Sequence, residues 1–493
     1  MKRIFLYLFI LISVKSKSQG IENLWLMGYD CCHPPYFYPI NLNFNSGSLV
    51  IDTVARDMNI NCTNGVISDK QGNLLFYSNG VYVANKNNDT MLNGSGLNPA
   101  IFTTNHIQYG LTIEQANLII PFPDDSTKYY LFHETIDDFF NTKSSFYLYY
   151  SIIDMTLDNG LGGVIQKNTI LLNDTLVRGR ITACKHANGR DWWLIVPEYI
   201  TGNVFKFLIT PTGIDGPYLQ NLQTIRYNSN GQAVFSRQGN KFAYYDSFKD
   251  LDIFDFDRCT GNFSNQIHVI INDSAYAGGV AFSENGRFLY VSSIRYIYQF
   301  DMNATDIALS QITVAIWDTV YSPSPPSATV FYLAALAPDN KIYINSSNST
   351  NTLHVINFPD SFGVACDVCQ NCVQLTSFNG FTIPNHPNYF LGAEAGSVCD
   401  TLHIGIDDVP DVESAFNLFP NPTTRLLYVT QKVNATIRNL EVFNTLGQKM
   451  DVRYSSIKNN EYMEINVQHL SPGVYFLEMV TDGEKVVRRF VRG

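Results

Sequence analysis

Six stretches of this chain share one grammar at intervals of roughly 50 residues, and that repeat restricts the fold more than any other feature. "GVAFSENGRFLYVSSIRYIYQFDM" (279–302), "GQAVFSRQGNKFAYYDSFKDLDIFDFD" (231–257) and "AALAPDNKIYINSSNSTNTLHVINF" (334–358) are the clearest copies. Looser copies begin near residues 64, 117 and 182. In each, a short apolar strand meets a polar turn, and a strand rich in Leu, Tyr, Phe and Val follows. The turns fall at Gly72, Asp125, Gly189, Gly239, Gly286 and Asn340. One such unit cannot bury both faces of a small sheet, whereas a ring of units can, so the period predicts a β-propeller. Residues 24–50 and 381–393 hold further strand-like runs, and joining them into one mixed blade would hide two sheet edges. The expected architecture is therefore all-β with seven blades, six or eight being the alternatives. Long amphipathic helices are hard to find, which argues against α/β enzymes.

The 493 residues suffice for two or more domains with real cores. With 33 Phe and 29 Tyr but only 16% charged residues, the composition suits a β-rich exported protein and not a disordered one. A net charge of −11 argues against nucleic-acid partners. Residues 1–19 carry Lys2 and Arg3, an apolar run from Ile4 to Val14, and small Ser16 and Ser18, the pattern of a signal peptide. No later apolar stretch reaches membrane-spanning length.

Nine cysteines follow that segment, and export implies that some form disulfides. Cys366, Cys369 and Cys372 in "CDVCQNC" have spacings that also suit zinc or an iron–sulfur cluster, with Cys399 or His386 completing the set. Disulfides, with Cys399 as a partner, are the expectation. Adjacent Cys31 and Cys32 cannot easily bridge each other and are expected to bond elsewhere, Cys62 being one partner. No cofactor, metal site or catalytic residue is assigned from the sequence. His133, Glu134, Asp137 and Asp138 lie in a run expected at an exposed blade edge. His186, Arg190 and Asp191 fall at a turn read first as architecture and second as a channel-mouth site. Acids of "DLDIFDFD" (250–257) are expected to point outward from a strand.

Residues 397–415 are acidic, contain Pro410 and lack alternation, which marks a linker between a propeller at 20–396 and a module at 416–493. In that module, Pro420 and Pro422 precede a strand, and turns are expected at Leu446-Gly447, Pro472-Gly473 and Asp482-Gly483. Short strands with such turns imply a small immunoglobulin-like sandwich.

Two resemblances sharpen these readings. The run "NGVISDKQGNLLFYSNGVYVANKNN" with "KHANGRDWWLIV" and "FSENGRFLYVSS" resembles the WD40-like propellers of secreted Bacteroidetes proteins over roughly residues 21–395. That resemblance implies a fold and no reaction. Asp52-Thr53-Val54 and four similar triplets, at Asp89, Asp174, Asp273 and Asp318, resemble the O-glycosylation sequon of exported proteins from those bacteria. The C-terminal module resembles the type A sorting domain of the type IX secretion system. The matching residues are Asn421-Pro422-Thr423 with Leu427 and Val429, then Leu446-Gly447-Gln448, Pro472-Gly473-Val474-Tyr475, and a basic end with Arg488, Arg489 and Arg492. This implies export to the cell surface or medium, with the secretion machinery and a sortase-like peptidase as partners. The expected function is a surface-anchored propeller that binds a glycan or protein. An exported lactonase-like hydrolase with a channel metal and a structural subunit of an extracellular apparatus are the alternatives.

Overall fold

The computed structural model describes residues 20–29, 37–323, 326–400, 416–431, 439–444, 447–456, 462–480 and 485–493. The signal-peptide reading of 1–19, Cys31, Cys32, Leu446, the Asp482-Gly483 turn and most of the linker lie outside the described residues. The chain forms two compact units, Met1–Leu402 and His403–Gly493.

The first unit is all-β apart from short helical turns among its described residues. Among the described residues its strands form seven antiparallel sheets, each with strands in sequence order. Five sheets have four strands; those beginning at Leu24 and Gly65 have three. Shared cores link each sheet to the next. Val66 and Tyr77 of the second sheet pack with Leu24 and Leu26 of the first. Ile67, Leu118 and Trp192 join the second, third and fourth sheets. Trp193 and Phe242 join the fourth and fifth, Tyr245 and Val291 the fifth and sixth, and Tyr290 and Ile344 the sixth and seventh. Tyr343, Leu353 and Val355 of the seventh then pack with Trp25, Met27 and Leu42 of the first. The circle therefore closes through side-chain burial, the dominant favourable term in such packing.

Six of the sheets open with the repeated turn found in the sequence. Gly72, Gly189, Gly239, Gly286 and Asn340 have φ of 83°, 76°, 73°, 72° and 62°. In the third sheet the left-handed residue is Asp124 (φ 62°), one position before Asp125. A tight turn from strand one to strand two needs such a residue, which favours glycine or asparagine. These turns and those from strand three to four define a turn face. In those six sheets, connections from strand two to three, and from each sheet to the next, define the opposite loop face; in the first sheet it is the connection between Leu24–Met27 and Ile40–Asn43 that lies there, the Gly28 carbonyl accepting from the Ile60 N–H, while the turn after Ile40–Asn43 meets Gly72 on the turn face through Asn45. Hydrogen bonds knit the loop face together: Ile200 and Arg226, Ser247 and Asn230, and Phe331 and Ile294 pair through their backbones.

The expected mixed blade does not form. Leu24–Met27, Ile40–Asn43 and Val50–Thr53 make the first sheet by themselves, and 381–393 contains no strand. Pro384 and Pro387 have no N–H to give a ladder, and proline fits poorly in strand interiors. This segment instead descends the axis of the ring as a strap. Near the loop face, the Thr382 hydroxyl donates to the Cys62 carbonyl (2.9 Å). Lower down, the Asn385 amide donates to the carbonyls of Asn117 (3.0 Å) and Ile181 (2.9 Å). Tyr389 donates its hydroxyl to the Ile119 carbonyl (2.8 Å). At the turn face, Glu394 N–H reaches the Ala187 carbonyl (2.8 Å). A Cβ on Gly189 would lie 2.4 Å from the Ala393 nitrogen, so this close approach requires glycine.

Among its described residues the second unit has two four-stranded sheets that share one core. Leu427, Val429 and Ile465 come from one sheet, and Val442, Leu477 and Phe490 from the other. Two sheets burying one common face make a sandwich.

Candidate functional site

Under the loop face lies a buried polar layer that sequence reading missed. Arg180 is 1% exposed, lies 3.5 Å from the Glu114 carboxylate and donates to the Ser229 carbonyl (2.6 Å). Tyr332 hydrogen-bonds the same Glu114 carboxylate. Arg226 pairs with Asp246 (2.9 Å) and with Asp252, and sits over the Tyr244 ring at 4.0 Å. Buried charges must be paired, and here each cation faces a carboxylate. These residues are far apart in sequence, so no local pattern announces them.

The layer overturns two expectations. His133 and Glu134 are fully buried, not at an exposed edge. His133 bonds Asn98 Oδ1 (2.7 Å) through Nδ1 and Ser151 Oγ (2.9 Å) through Nε2, and burial pushes its pKa down to about 3. Glu134 accepts from the Gly179 N–H, yet burial dominates and holds its carboxyl well above the usual carboxylate range. Asp252 in "DLDIFDFD" is likewise buried, held by Arg226, Gln266 and His268. Asp255 and Asp257 are more open, bonding Lys241 and the Cys259–Thr260 turn. The His186 turn is architecture: Asn188 and Asp191 bond each other, Arg190 pairs with Asp191 at 2.7 Å, and His186 Nε2 meets the Cys259 carbonyl at 3.0 Å.

Above this layer the loops expose rings. Tyr38, Phe140, Phe248, Tyr276 and Tyr321 belong to five different loops of the loop face. Phe140 is 78% and Phe248 64% exposed. On the turn face, the exposed rings Phe358 and Phe362 share a single loop. Thr53, Thr90, Ser274 and Thr319 of the Asp-Thr/Ser triplets are exposed, and Thr175 is half-buried.

Along the axis, between strap and inner strands, lies a cavity of about 100 Å³. Gln115 and Gln232 border it, but their amides are spent on backbone. Gln115 exchanges hydrogen bonds with both N–H and C=O of Ala233, and Gln232 bonds the N–H of Val280 and both groups of Ala334. At its turn-face end, Arg237 pairs with Glu22 (2.9 Å) and Glu284 (3.2 Å). Among the described residues no group of three or more His, Cys, Asp and Glu side chains is placed to hold a metal ion.

The cysteines pair differently from expectation. Cys369 bonds Cys372, and Cys399 bonds Cys259, which sequence reading had not singled out. Cys369 and Val373 face Val355 and Leu353, so three residues bulge out opposite His354, with Asn371 at φ 59°. That bulge brings Cys369 and Cys372 together, their Cα atoms 5.7 Å apart. Cys366 and Cys62 carry free thiols instead. Cys366 is turned into the core between the sixth and seventh sheets, and Cys62 is buried beneath the strap, where burial holds its thiol well above its ordinary pKa.

In the second unit Asn421, Thr423, Gly473 and Tyr475 of the motifs meet at the strand Lys485–Arg492. Asn421 Oδ1 accepts from the Val491 N–H (2.8 Å), and Asn421 Nδ2 donates to the Arg489 carbonyl (3.3 Å). Thr423 N–H donates to the Val491 carbonyl (2.8 Å), and Gly493 N–H returns to Thr423 (2.8 Å). Gly473 pairs with Arg492 across the sheet, and the Tyr475 ring stacks on Phe490 at 5.7 Å. Gly447 takes φ 75° in a turn where Asn444 Nδ2 donates to Gln448 Oε1 (2.8 Å) and Asn444 Oδ1 accepts from the Gln448 backbone N–H (2.9 Å). Asn421, Pro422, Gly447, Gln448, Pro472 and Arg489 are exposed; Val474 and Arg488 are half-buried.

Residues 417–492 match the secretion system C-terminal sorting domain. That domain marks the chain for type IX secretion and for the cell surface or medium. No helix among the described residues is long and apolar enough to cross a membrane. No curated protein matches the chain. Among solved structures, a functionally unknown protein from Desulfotomaculum acetoxidans is 14% identical, with 74% of this chain and 99% of that one covered and a TM-score of 0.38. A gluconolactonase from Xanthomonas campestris is 12% identical, covering 65% and 94%, at 0.32. The Dos1 propeller is 10% identical, covering 71% and 81%, at 0.41.

Proposed function

We propose that the seven-sheet ring is a seven-bladed extracellular binding module that takes a glycan or protein on its loop face. The observation that carries this reading is the set of exposed rings Tyr38, Phe140, Phe248, Tyr276 and Tyr321, delivered by five separate loops over a rigid buried layer. Exposed aromatics on a fixed scaffold supply contact area at little entropic cost. Loops on a rigid frame are also where recognition residues vary without harming a core. The channel adds support, because its glutamine amides are used up by backbone and serve as staples between blades.

In the same reading, the exposed edge formed by Asn421, Pro422, Gly447, Gln448, Pro472 and Arg489 is what the secretion machinery recognises, and a sortase-like peptidase then separates the module from the propeller. The test of the binding role is a Phe140→Ala, Phe248→Ala, Tyr276→Ala, Tyr321→Ala variant, compared with the parent on arrays of extracellular glycans and matrix proteins. Losing four aromatic contacts of about 1 kcal/mol each should weaken binding at least tenfold, with the melting midpoint unchanged. Undiminished binding by the variant contradicts the reading, and the array class that retains the parent decides between glycan and protein.

A further inference from the structure

We propose that the Cys369–Cys372 disulfide is a thiol-exchange site, opened by an external low-molecular-weight thiol, and that its opening releases the loop segment that carries Tyr321. This link differs from the other one in reach and in place. Cys259–Cys399 joins residues 140 apart, whereas Cys369–Cys372 joins residues 3 apart. A link that closes so short a loop restricts the unfolded chain much less, so it adds little to the stability of the ring. It also lies on Val368–Asn379, the outermost strand of the seventh sheet, with Cys372 exposed and Cys369 half-buried. Cys366 faces the other side of that sheet. It packs between the sixth and seventh sheets, while Cys369 packs with the cluster shared by the seventh and first. The buried thiol is therefore no partner in the exchange, and the attacking sulfur comes from solvent.

What the disulfide holds is a clamp. Its ring encloses Gln370 and Asn371, and Asn371 sits in the left-handed region at φ 59°. Both side chains reach the end of the last strand of the sixth sheet. Asp318 N–H donates to Gln370 Oε1 (3.0 Å), and Gln370 Nε2 donates to the Ile316 carbonyl (2.8 Å). Asn371 Nδ2 donates to Asp318 Oδ2 (3.1 Å), and Asp318 Oδ1 accepts from the Val320 N–H (3.1 Å). Asn371 N–H itself donates to Nδ1 of the buried His354 (3.2 Å). Trp317, between the two clamped residues Ile316 and Asp318, meets the exposed Tyr321 ring at 5.6 Å. Contacts thus run from the disulfide to one of the loop-face rings. In the exchange, an external thiolate attacks Cys372 Sγ, the S–S bond breaks, and Cys369 leaves as a thiolate that takes a proton. A second external thiol displaces Cys372 in the same way. Two external thiols become one disulfide, and both cysteines end as thiols. With the ring open, Asn371 is free to leave a conformation that is costly for a residue with a Cβ, and the clamp loses its fixed geometry.

The full chain is treated with graded glutathione without denaturant, trapped by alkylation, and followed by hydrogen exchange read by peptide mass spectrometry. Cys369 and Cys372 are expected to be alkylated at thiol concentrations that leave Cys259–Cys399 closed. Exchange of the amides in 316–322 is expected to rise about tenfold, with those of the second to fifth sheets unchanged. Gln370→Ala keeps the disulfide and removes two hydrogen bonds, so it should raise exchange there without any thiol. Opening of Cys259–Cys399 first, or unchanged exchange at 316–322 in either the reduced parent or Gln370→Ala, overturns the proposal. These readouts need no ligand, so they are decided apart from the loop-face reading, on which only the consequence for recognition rests. For a ligand retained by the arrays, the reduced protein should bind about threefold more weakly. Equal binding together with faster exchange overturns that consequence and leaves the clamp standing.

Discussion

His133 shows how one buried side chain sets a property of the whole unit. Its Nδ1–H donates to Asn98 and its Nε2 accepts from Ser151, an arrangement that only the neutral ring can make. Burial lowers its pKa to about 3, against about 6.5 in an unfolded chain. The unfolded state therefore takes up a proton first as pH falls. The stability that the neutral ring contributes is fully present above about pH 6.5 and is lost progressively down to about pH 3. Between pH 7 and pH 5 this one group should cost about 2 kcal/mol. Urea unfolding of the parent and of His133→Gln at both pH values checks it: the variant should lose about 2 kcal/mol less over that interval. Parallel losses would show that His133 is not the group responsible.

At the scale of elements, the strap 381–393 is the feature with the clearest energetic consequence. The Asn385 side chain donates to two carbonyls from different sheets and accepts from Gln115 Nε2 at 3.0 Å. Asn385→Ala removes three hydrogen bonds and leaves two backbone carbonyls short of a partner. The expected loss is about 2–4 kcal/mol, read as a drop in the urea midpoint without a change in slope. A loss below about 0.5 kcal/mol would mean that the strap does not brace the ring. The repeat that builds the sheets was legible in the sequence because each blade begins at a turn needing a left-handed residue, and Gly72, Gly189, Gly239, Gly286 and Asn340 mark those places openly. The strap was not legible. "FTIPNHPNYFLGA" looks like strand from its apolar residues, and only its two prolines, both without an N–H, argued otherwise. The Cys259–Cys399 link, 140 residues apart, and the Glu114–Arg180–Tyr332 layer join distant parts of the chain. No local spacing encodes such pairings, which is why His133, Glu134 and Asp252 were placed at the surface.

At the scale of the whole molecule, a closed ring of sheets is followed in the chain by a sandwich that carries the address. The sandwich motifs were legible because they are short turns at fixed places, and the structure adds what they do: Asn421 and Thr423 clasp the strand Lys485–Arg492 through Val491. The clasp makes the last strand the part of the address most open to a direct test. The deciding measurement is the location of the protein in cells with an intact type IX system, comparing the full chain with one ending at residue 484. The full chain is expected outside the cell and the shortened chain within the envelope, its propeller still folded by limited proteolysis. Equal amounts of both chains outside the cell would contradict it.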